Sequence, residues 1–466
     1  MIVLTRDLAR KFRAIAKKCL AGRPRAPAPI VVCRVRAGTL SLWTRTESAG
    51  LLYTAPCSIK DATLVIPMDM FAAIEGPGIE AVEVSVDRKL EGKATWSDRG
   101  EPQSHSFIAM MPGKQHTIPE QPEVLKPVPG EFLTALHECG KTAARDAGRF
   151  VLNHLQIRGK DGQVIATDSK RALIWSGFAF PFGGDILVPA LPVFGCRELA
   201  GETEVRIGHS ATDLVVACGP WSVHLPVHTT GKYLDVLSIV PKPGTGTSAC
   251  LDEAAAEELL HILPSLPGAK EEDQPVTLEL GEGLVVRARD EATSIIRELS
   301  LGAAIAGPGR SMAVNRQAVG RALTIGCRTI RIHPVTQALC FEAPSRTFIV
   351  AALDPTRIVS RPESSPRSVK ADKHIADRPP HSTPERSSPM RTHDTNGSTS
   401  NGRRDPPAEE TLDPLAEAEA LRVAIAEVGN RVGRLVAALR STRKEKKVLA
   451  GVWAGLRQLN LGGGAS

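Results

Sequence analysis

Residues 1–360 repeat one plan three times, with a period of roughly 120 residues, and this repeat restricts the fold more than any other feature of the sequence. Each copy opens with a helical pattern, continues with short strands, and then has a strand that runs into a second helix. The opening helices are predicted over residues 6–20, 130–144 and 252–263. The strand-to-helix junctions are predicted at Pro67, Pro189 and Asn315. Two helices beside many strands in every copy predict an α+β fold.

The composition allows sizeable cores that contain few aromatic side chains. Of the 466 residues, 42% are apolar and only 4% are aromatic, so the cores must rest on Val, Ile, Leu and Ala. The formal net charge of +7 favours a polyanionic partner if the basic side chains share one surface. Nine cysteines without a Cys-x-x-Cys pair fit neither a disulfide framework nor a zinc site. Free thiols, with no signal peptide and no long apolar run, predict a cytoplasmic protein.

The composition changes sharply near Arg361. Residues 361–411 contain no Phe, Tyr or Trp and few aliphatic side chains, so they cannot bury enough apolar surface to offset the entropy of ordering. We therefore predict a disordered linker over residues 361–411.

Residues 412–461 are predicted to form a helical or coiled-coil tail. Apolar residues alternate at spacings of four and three, which is a heptad pattern. These residues are Leu421, Ile425, Val428, Val432, Leu435 and Leu439. A basic run at residues 440–447 interrupts the pattern before it resumes. A helical hairpin and a short coiled coil would both explain it, and the tail could bind a partner through this apolar seam.

The sequence carries no catalytic signature. Gly140, Lys141 and Thr142 resemble the end of a phosphate-binding loop, but Ala135 stands where that motif requires its first glycine. No HExxH, GxSxG or clustered carboxylate set occurs. We therefore expect a protein that is not an enzyme, with no catalytic residue, metal or cofactor.

The first helix carries a one-sided basic face. Arg6, Arg10, Arg13 and Lys17 share this face, opposite the apolar side chains that would dock the helix. No Asp or Glu occurs between Lys11 and Arg25, although an ordinary solvated face would usually interleave them. The pattern favours a helix that faces phosphates. The candidate contacts are Arg6, Arg10, Lys11, Arg13, Lys17, Lys18, Arg23, Arg25, Lys141, Arg145, Arg149, Arg316 and Arg321.

Four stretches together resemble the bacterial DNA polymerase III beta subunit, the sliding clamp. Residues 144–173, ARDAGRFVLNHLQIRGKDGQVIATDSKRAL, are similar to its strand, Asn turn, glycine-rich hairpin and ATDGHRLA pattern. Residues 184–199, GDILVPALPVFGCREL, resemble its VPxK-type strand-to-helix junction. Residues 231–242, GKYLDVLSIVPK, and 21–35, AGRPRAPAPIVVCRV, resemble two further segments of the clamp. The order and spacing of these stretches over three copies make the resemblance specific.

The resemblance implies three clamp domains, each with two helices packed on antiparallel sheets. Their expected ranges are 1–123, 124–246 and 247–360. Two subunits would join head-to-tail into a ring, with helices lining a hole that holds double-stranded DNA. The implied function is that of a processivity factor, which tethers a DNA polymerase and is placed on DNA by a clamp loader. The matching loop and strand positions of the clamp that touch DNA are Arg23 and Arg145.

The resemblance also implies an apolar pocket for partner peptides between the second and third domains. The matching positions are Thr167, Ser169, Lys170, Arg171, Ala172, Pro241 and Leu353. Ser169 and Lys170 replace the Gly and His of the clamp pattern, and Ala172 replaces Leu, which would change the depth of the cavity. The alternative interpretation is that these are ordinary hairpin and core positions.

Two features depart from the clamp pattern. The opening helix of the third copy carries Asp252, Glu253, Glu257 and Glu258 and no Lys or Arg, so it would repel phosphate unless its carboxylates turn away. Near the end of the tail, Gln458, Leu459, Asn460 and Leu461 resemble a clamp-binding peptide, but Gly462 stands where Phe would anchor, and a helix end is the favoured interpretation. The leading hypothesis is a sliding clamp. The alternative is a clamp paralogue that acts as a DNA-bound interaction platform in repair or accessory replication.

Overall fold

The structure is a computed structural model that describes residues 1–20, 29–146, 150–202, 204–242, 244–333 and 338–361. The predicted linker beyond Arg361 and the predicted tail over residues 412–461 lie outside these ranges. Within them, no helix is both long enough and apolar enough to span a bilayer.

Six helices and twenty-five strands make up the described residues. The first copy contains β1 (Ile2–Thr5), α1 (Arg6–Cys19), β2 (Ile30–Arg36), β3 (Thr39–Arg45), β4 (Gly50–Pro56), β5 (Ala62–Pro67), α2 (Met68–Ile74), β6 (Ala81–Val86), β7 (Glu91–Asp98) and β8 (Glu101–Ile108). The second contains β9 (Lys126–Val128), α3 (Glu131–Thr142), β10 (His154–Arg158), β11 (Gln163–Thr167), β12 (Arg171–Trp175), β13 (Asp185–Pro189), α4 (Arg197–Ala200), β14 (Val205–His209), β15 (Asp213–Cys218) and β16 (Trp221–Pro226). The third contains β17 (Thr247–Leu251), α5 (Glu253–Ile262), β18 (Pro275–Leu280), β19 (Leu284–Arg289), β20 (Ile296–Leu301), β21 (Ala303–Ala306), β22 (Arg310–Asn315), α6 (Arg316–Thr324), β23 (Thr329–Ile332), β24 (Leu339–Ala343) and β25 (Arg346–Val350).

Side-chain caps fix where three of the helices begin. Thr5, Asp252 and Asn315 each accept a hydrogen bond from the backbone N–H three residues later. Such a cap contributes about 1 kcal/mol to helix stability. The three predicted opening helices are confirmed to within two residues at each end, and a helix follows each predicted junction. After Pro189 that helix has only four residues, because a 3-10 turn at Pro192–Gly195 precedes it.

Four antiparallel sheets run through the described residues. The first long sheet has the strand order β5-β2-β3-β4-β16-β15-β14-β9, and the second has the order β13-β10-β11-β12-β25-β24-β23-β17-β21. Two four-stranded sheets stand at the ends of the series: an N-terminal sheet, β1-β6-β7-β8, and a C-terminal sheet, β20-β19-β18-β22. The β4–β16 and β12–β25 pairs join successive copies, so each long sheet is shared between two copies.

The core lies between the sheets and the apolar faces of the helices. Phe12 of α1 is fully buried and stacks on Phe71 of α2, with a ring separation of 5.2 Å. The ring of Trp221, in the second copy, lies 6.3 Å from the ring of Phe12. We estimate that truncating Phe12 to Ala would cost about 3–5 kcal/mol, because the cavity would open between two copies.

The helices lie side by side in one row on the sheets. Helix α2 contacts α1, and α1 contacts both α4 and the Pro192–Gly195 turn. That turn packs on α3, a guanidinium links α3 to α6, and α6 contacts α5. The solvent-facing side of this helix row therefore runs through all three copies. All nine cysteines have free thiols.

Candidate nucleic-acid interface and partner pocket

Three of the cations predicted on α1 are partly neutralised by carboxylates. Asp7 forms ion pairs with Arg10 at 2.6 Å and with Lys11 at 2.8 Å. Glu75 forms one with Arg13 at 2.6 Å. Partial burial raises the pKa of Asp7, but hydrogen bonds from Lys11 and Arg10 outweigh it and leave that pKa below its ordinary value. Exposed pairs of this kind contribute little stability, and their cations still project into solvent.

A second group of cations lies where α1 meets the second copy. We call it the basic strip: Lys17, Lys18, Lys141, Arg145 and Arg197. All five side chains are exposed, and only Lys141 has an ion pair within the described residues, to Glu138 at 2.7 Å. Arg197 on α4 was missed by sequence reasoning, because a four-residue helix leaves no periodicity that marks an exposed face.

The packing around His137 brings the two sides of the basic strip together. Its imidazole lies directly over Gly195, in the turn that contacts both α1 and α3. Burial, then the positive charge of Lys141, and more weakly that of Lys18, lower the pKa of His137. Lysines from two copies therefore act on one imidazole, and the strip is continuous across the junction of the first and second copies.

Two predicted DNA contacts, Arg6 and Arg316, are held by partners within the fold, which argues against their predicted role. Arg6 is only 12% exposed and pairs with Asp98 at 2.9 Å. Arg316 is 4% exposed. Its guanidinium donates to the carbonyl oxygens of Leu263, Leu266, Pro267 and Gln274. Buried carbonyls need the donors of Arg316, and the guanidinium of Arg6 is engaged by Asp98, so neither side chain is free to reach a phosphate.

Arg321 is also engaged within the fold. It donates hydrogen bonds to the carbonyl oxygen of Glu138 at 2.6 Å and to the hydroxyl of Thr142 at 2.8 Å. The aromatic ring of Phe348 lies 5.4 Å from its guanidinium carbon. Arg321 therefore joins α6 to α3 instead of facing solvent, which corrects its predicted role. Arg23, Arg25 and Arg149 lie outside the described residues.

The third copy presents carboxylates on its opening helix. Helix α5 buries Ala255, Ala256 and Leu259 against the fold. Glu253, Glu257 and Glu258 are exposed. We call these three residues the acidic face. It lies on the solvent side of the helix row, so its carboxylates do not turn into the protein.

The structure brings the predicted pocket residues to one end of the second long sheet. Thr167 and Ala172 are buried at the β11–β12 hairpin, and Ala351 donates a backbone hydrogen bond to the carbonyl of Lys170 at 2.8 Å. The backbone N–H of Leu353 in turn donates to Ala313 of β22 at 2.8 Å. The hairpin, the end of β25 and β22 therefore meet in one place.

Apolar side chains that were not predicted complete this region. Ala172 packs in a small cluster with Ile165, Ile174 and Ile349, against Val236 and the segment that leads to Pro241. The apolar residues of GKYLDVLSIVPK were the only sequence signal for this contribution. The core of this region is an apolar cluster of buried side chains beside a polar hairpin.

The hairpin itself is strongly bonded. The Thr167 hydroxyl donates to the carbonyl of Arg171 at 2.7 Å, and the Asp168 carboxylate accepts two hydrogen bonds from the Arg171 guanidinium, at 2.7 and 3.1 Å. Ser169 adopts a φ of 75°, in the left-handed region that favours glycine. Ser169 thus takes a glycine-like conformation at the position where the clamp pattern has Gly.

Solved structures with this fold are known. No protein-family model and no curated protein matches the sequence. The DNA polymerase III beta subunit from Pseudomonas aeruginosa is similar with a TM-score of 0.61 and 17% identity, over 76% of this chain and 99% of that one. The beta subunit from Thermotoga maritima has a TM-score of 0.60 and 15% identity over the same shares. That from Borrelia burgdorferi has a TM-score of 0.60 and 14% identity, over 76% of this chain and 97% of that one. The chain therefore has the fold of the bacterial DNA sliding clamps, the beta subunits of DNA polymerase III.

Proposed function

We propose that this protein is a DNA sliding clamp. Two subunits join head-to-tail into a ring around duplex DNA. The ring tethers a DNA polymerase and other partners without catalysing a reaction. The three ranges 1–123, 124–246 and 247–360 are its clamp domains, and the ring acts in the cytoplasm, where a clamp loader places it on DNA.

The observation that carries this proposal is the pair of half-sheets at the two ends of the fold. The N-terminal sheet ends at β8 and the C-terminal sheet ends at β20, and within the described residues each of these strands pairs on one side only. Joining β8 of one subunit to β20 of another subunit would make an eight-stranded sheet, with as many strands as the first long sheet. A contact between two different surfaces that closes in this way produces a ring and removes the exposed edges.

Exposed apolar side chains beside these two edges support the same contact. Ile108 at the end of β8 is 69% exposed, and Met111 just beyond it is 67% exposed. Ile295, immediately before β20, is 55% exposed. Large apolar side chains grouped beside a strand edge are typical of a protein interface.

In the proposed ring, the helix row faces the duplex and the basic strip contacts phosphates without reading sequence. The pocket around Ala172 binds the apolar anchors of partner peptides, with Thr167, Ser169, Lys170, Arg171, Pro241 and Leu353 around it. The tail adds a second attachment, through its heptad residues or through the segment from Gln458 to Leu461.

The alternative function is a clamp paralogue that serves repair or accessory replication. Two observations favour it. The acidic face of α5 reduces the attraction for DNA in the third copy, and the pocket has Ala172 where the clamp pattern has Leu. A platform that serves different partners would tolerate both changes.

Retention on circular duplex DNA tests the proposal. The full chain is incubated with a clamp loader, ATP and nicked circular DNA, separated by gel filtration, and then treated with a restriction enzyme that cuts once. We expect retention on circles and loss after linearisation, because a ring slides off a free end. Equal binding to both forms would contradict encirclement.

The length of polymerase products separates the two functions. On long primed templates, a clamp for the main replicase increases the length of DNA that the polymerase synthesises each time it binds. A paralogue is retained on circles yet leaves the replicase product length unchanged.

A further inference from the structure

We propose that duplex DNA contacts one sector of each subunit of this protein. Phosphates bind the basic strip at the junction of the first and second copies, and the acidic face of α5 repels them in the third. This uneven contact rests on the proposed function, because it assigns the DNA path within the proposed ring.

The basic strip has the features of a phosphate-binding surface. Its five exposed cations come from α1, from α4, and from α3 with the residues that follow it. Among the described residues, no carboxylate forms an ion pair with Lys17, Lys18, Arg145 or Arg197, so these charges are available to a polyanion. Cations on several rigid elements can follow a DNA backbone without recognising bases.

The helices of the third copy offer the opposite charge. Among the described residues, Glu253 alone of the three glutamates of the acidic face forms an ion pair, with Arg328 at 4.0 Å. The neighbouring helix α6 does not compensate, because Arg316 is buried and Arg321 points to α3. A phosphate within a Debye length of about 8–10 Å from this face would be repelled.

The helix row therefore has a charge gradient from the first copy to the third. The path runs from α1 through α3 to α6 and α5, and exposed charge changes sign along it. In a ring of two subunits, two basic sectors would alternate with two acidic ones. Such a ring holds DNA by fewer phosphate contacts than an evenly basic ring, which lowers the salt dependence of binding and eases sliding.

Two charge variants of the full chain, each with a matched control, test this path. The first changes Lys17, Lys18 and Lys141 to Ala, and its control changes Arg88, Lys89 and Lys114, which are exposed and lie away from the helix row. The second changes Glu253, Glu257 and Glu258 to Gln, and its control changes the exposed residues Glu47, Glu120 and Glu123. Each variant and its control have the same net charge, so a general charge effect cancels.

Binding to a fluorescent linear duplex is measured by anisotropy over a salt series, and circular dichroism verifies folding. For the lysine variant we expect roughly tenfold weaker binding, and a slope of log affinity against log salt that is smaller by about 2–3, since each lost phosphate contact removes about 0.9. For the glutamate variant we expect binding several-fold tighter than that of its control.

The circular-DNA experiment separates failure of this path from failure of the ring. If the wild-type chain stays on circles while both variants bind like their controls, the one-sector path is wrong and the clamp stands. If the wild-type chain binds circles and linear DNA equally, the clamp is wrong, and the variants still report whether the basic strip binds DNA. Tighter binding of the lysine variant than of its control would also overturn the path.

Discussion

The guanidinium of Arg321 in α6 donates a 2.6 Å hydrogen bond to the carbonyl oxygen of Glu138 in α3. This contact joins helices from two copies in the last turn of α3, where the same guanidinium also donates at 3.2 Å to the carbonyl of Lys141, a group that lacks a partner within the helix. A cation there also interacts favourably with the helix dipole. The arginine is thus a structural link between the second and third copies.

Changing Arg321 to Ala should destabilise the protein by about 2–3 kcal/mol, because the carbonyl and hydroxyl groups of α3 lose charged donors. Urea unfolding measures the loss. Arg88→Ala, at an exposed turn, serves as the control and should stay close to wild type. If the two variants have equal stability, the link contributes nothing.

Changing Arg316 to Ala should cost about 3 kcal/mol or more, because it leaves several buried carbonyl oxygens unsatisfied. Arg316→Lys should recover part of this loss, since an ammonium group reaches fewer of the acceptors. DNA affinity of the folded variant, measured by anisotropy, should remain that of the wild type. A loss of affinity at unchanged stability would restore Arg316 as a DNA contact.

Acid should weaken the fold through His224. Burial lowers its pKa to about 4, with smaller effects from Asp213, which raises it, and Arg45, which lowers it. The unfolded chain, with a histidine pKa near 6.5, binds more protons between those values, so stability present above pH 6.5 is lost as the pH falls towards 4. At pH 5 this loss is about 2 kcal/mol.

Urea unfolding of His224→Gln at pH 7.5 and pH 5.0 checks this dependence. The variant should lose about 2 kcal/mol less than the wild type between the two values. Exposed His209, changed to Gln, should lose as much as the wild type. His154, whose pKa burial also lowers to about 4, leaves a residual acid dependence in every variant.

Placing a charge beside either free edge should prevent ring closure. Ile108→Asp or Ile295→Asp would bury an unpaired carboxylate in the proposed interface, and we expect a monomer at micromolar concentration by analytical ultracentrifugation. Ile79, which is 85% exposed in the α2–β6 loop, provides the control substitution to Asp. If the wild type is a dimer and both edge variants remain dimers, the β8–β20 contact is excluded.

Changing Ser169 to Gly should stabilise the protein by about 1 kcal/mol, because a side chain in the left-handed region costs about that much. Ser169→Ala keeps this cost and is the matched control. Thermal unfolding measures the difference. Equal midpoints for the two variants would mean that the hairpin relaxes around its turn.

The sequence predicted the helices and the α+β class because these depend on near neighbours. The helical spacing of Phe12 and Ile15, and the caps Thr5, Asp252 and Asn315, act within a few residues. The grouping of Thr167 with Ala172 could be predicted, since both lie in one hairpin. Its apolar wall came from a segment some 65 residues further along the chain, which no local pattern connects to that hairpin.

The sequence by itself determined the threefold repeat, the strand-to-helix junctions and the supply of basic residues. Only the tertiary structure decided which of those cations are available, because their partners are distant in sequence. Arg6 meets Asp98, Arg13 meets Glu75 and Arg321 meets Glu138, whereas Lys17 and Lys18 meet no carboxylate among the described residues. A charge count cannot show this, since the free energy of an ion pair depends on the distance and burial that folding creates.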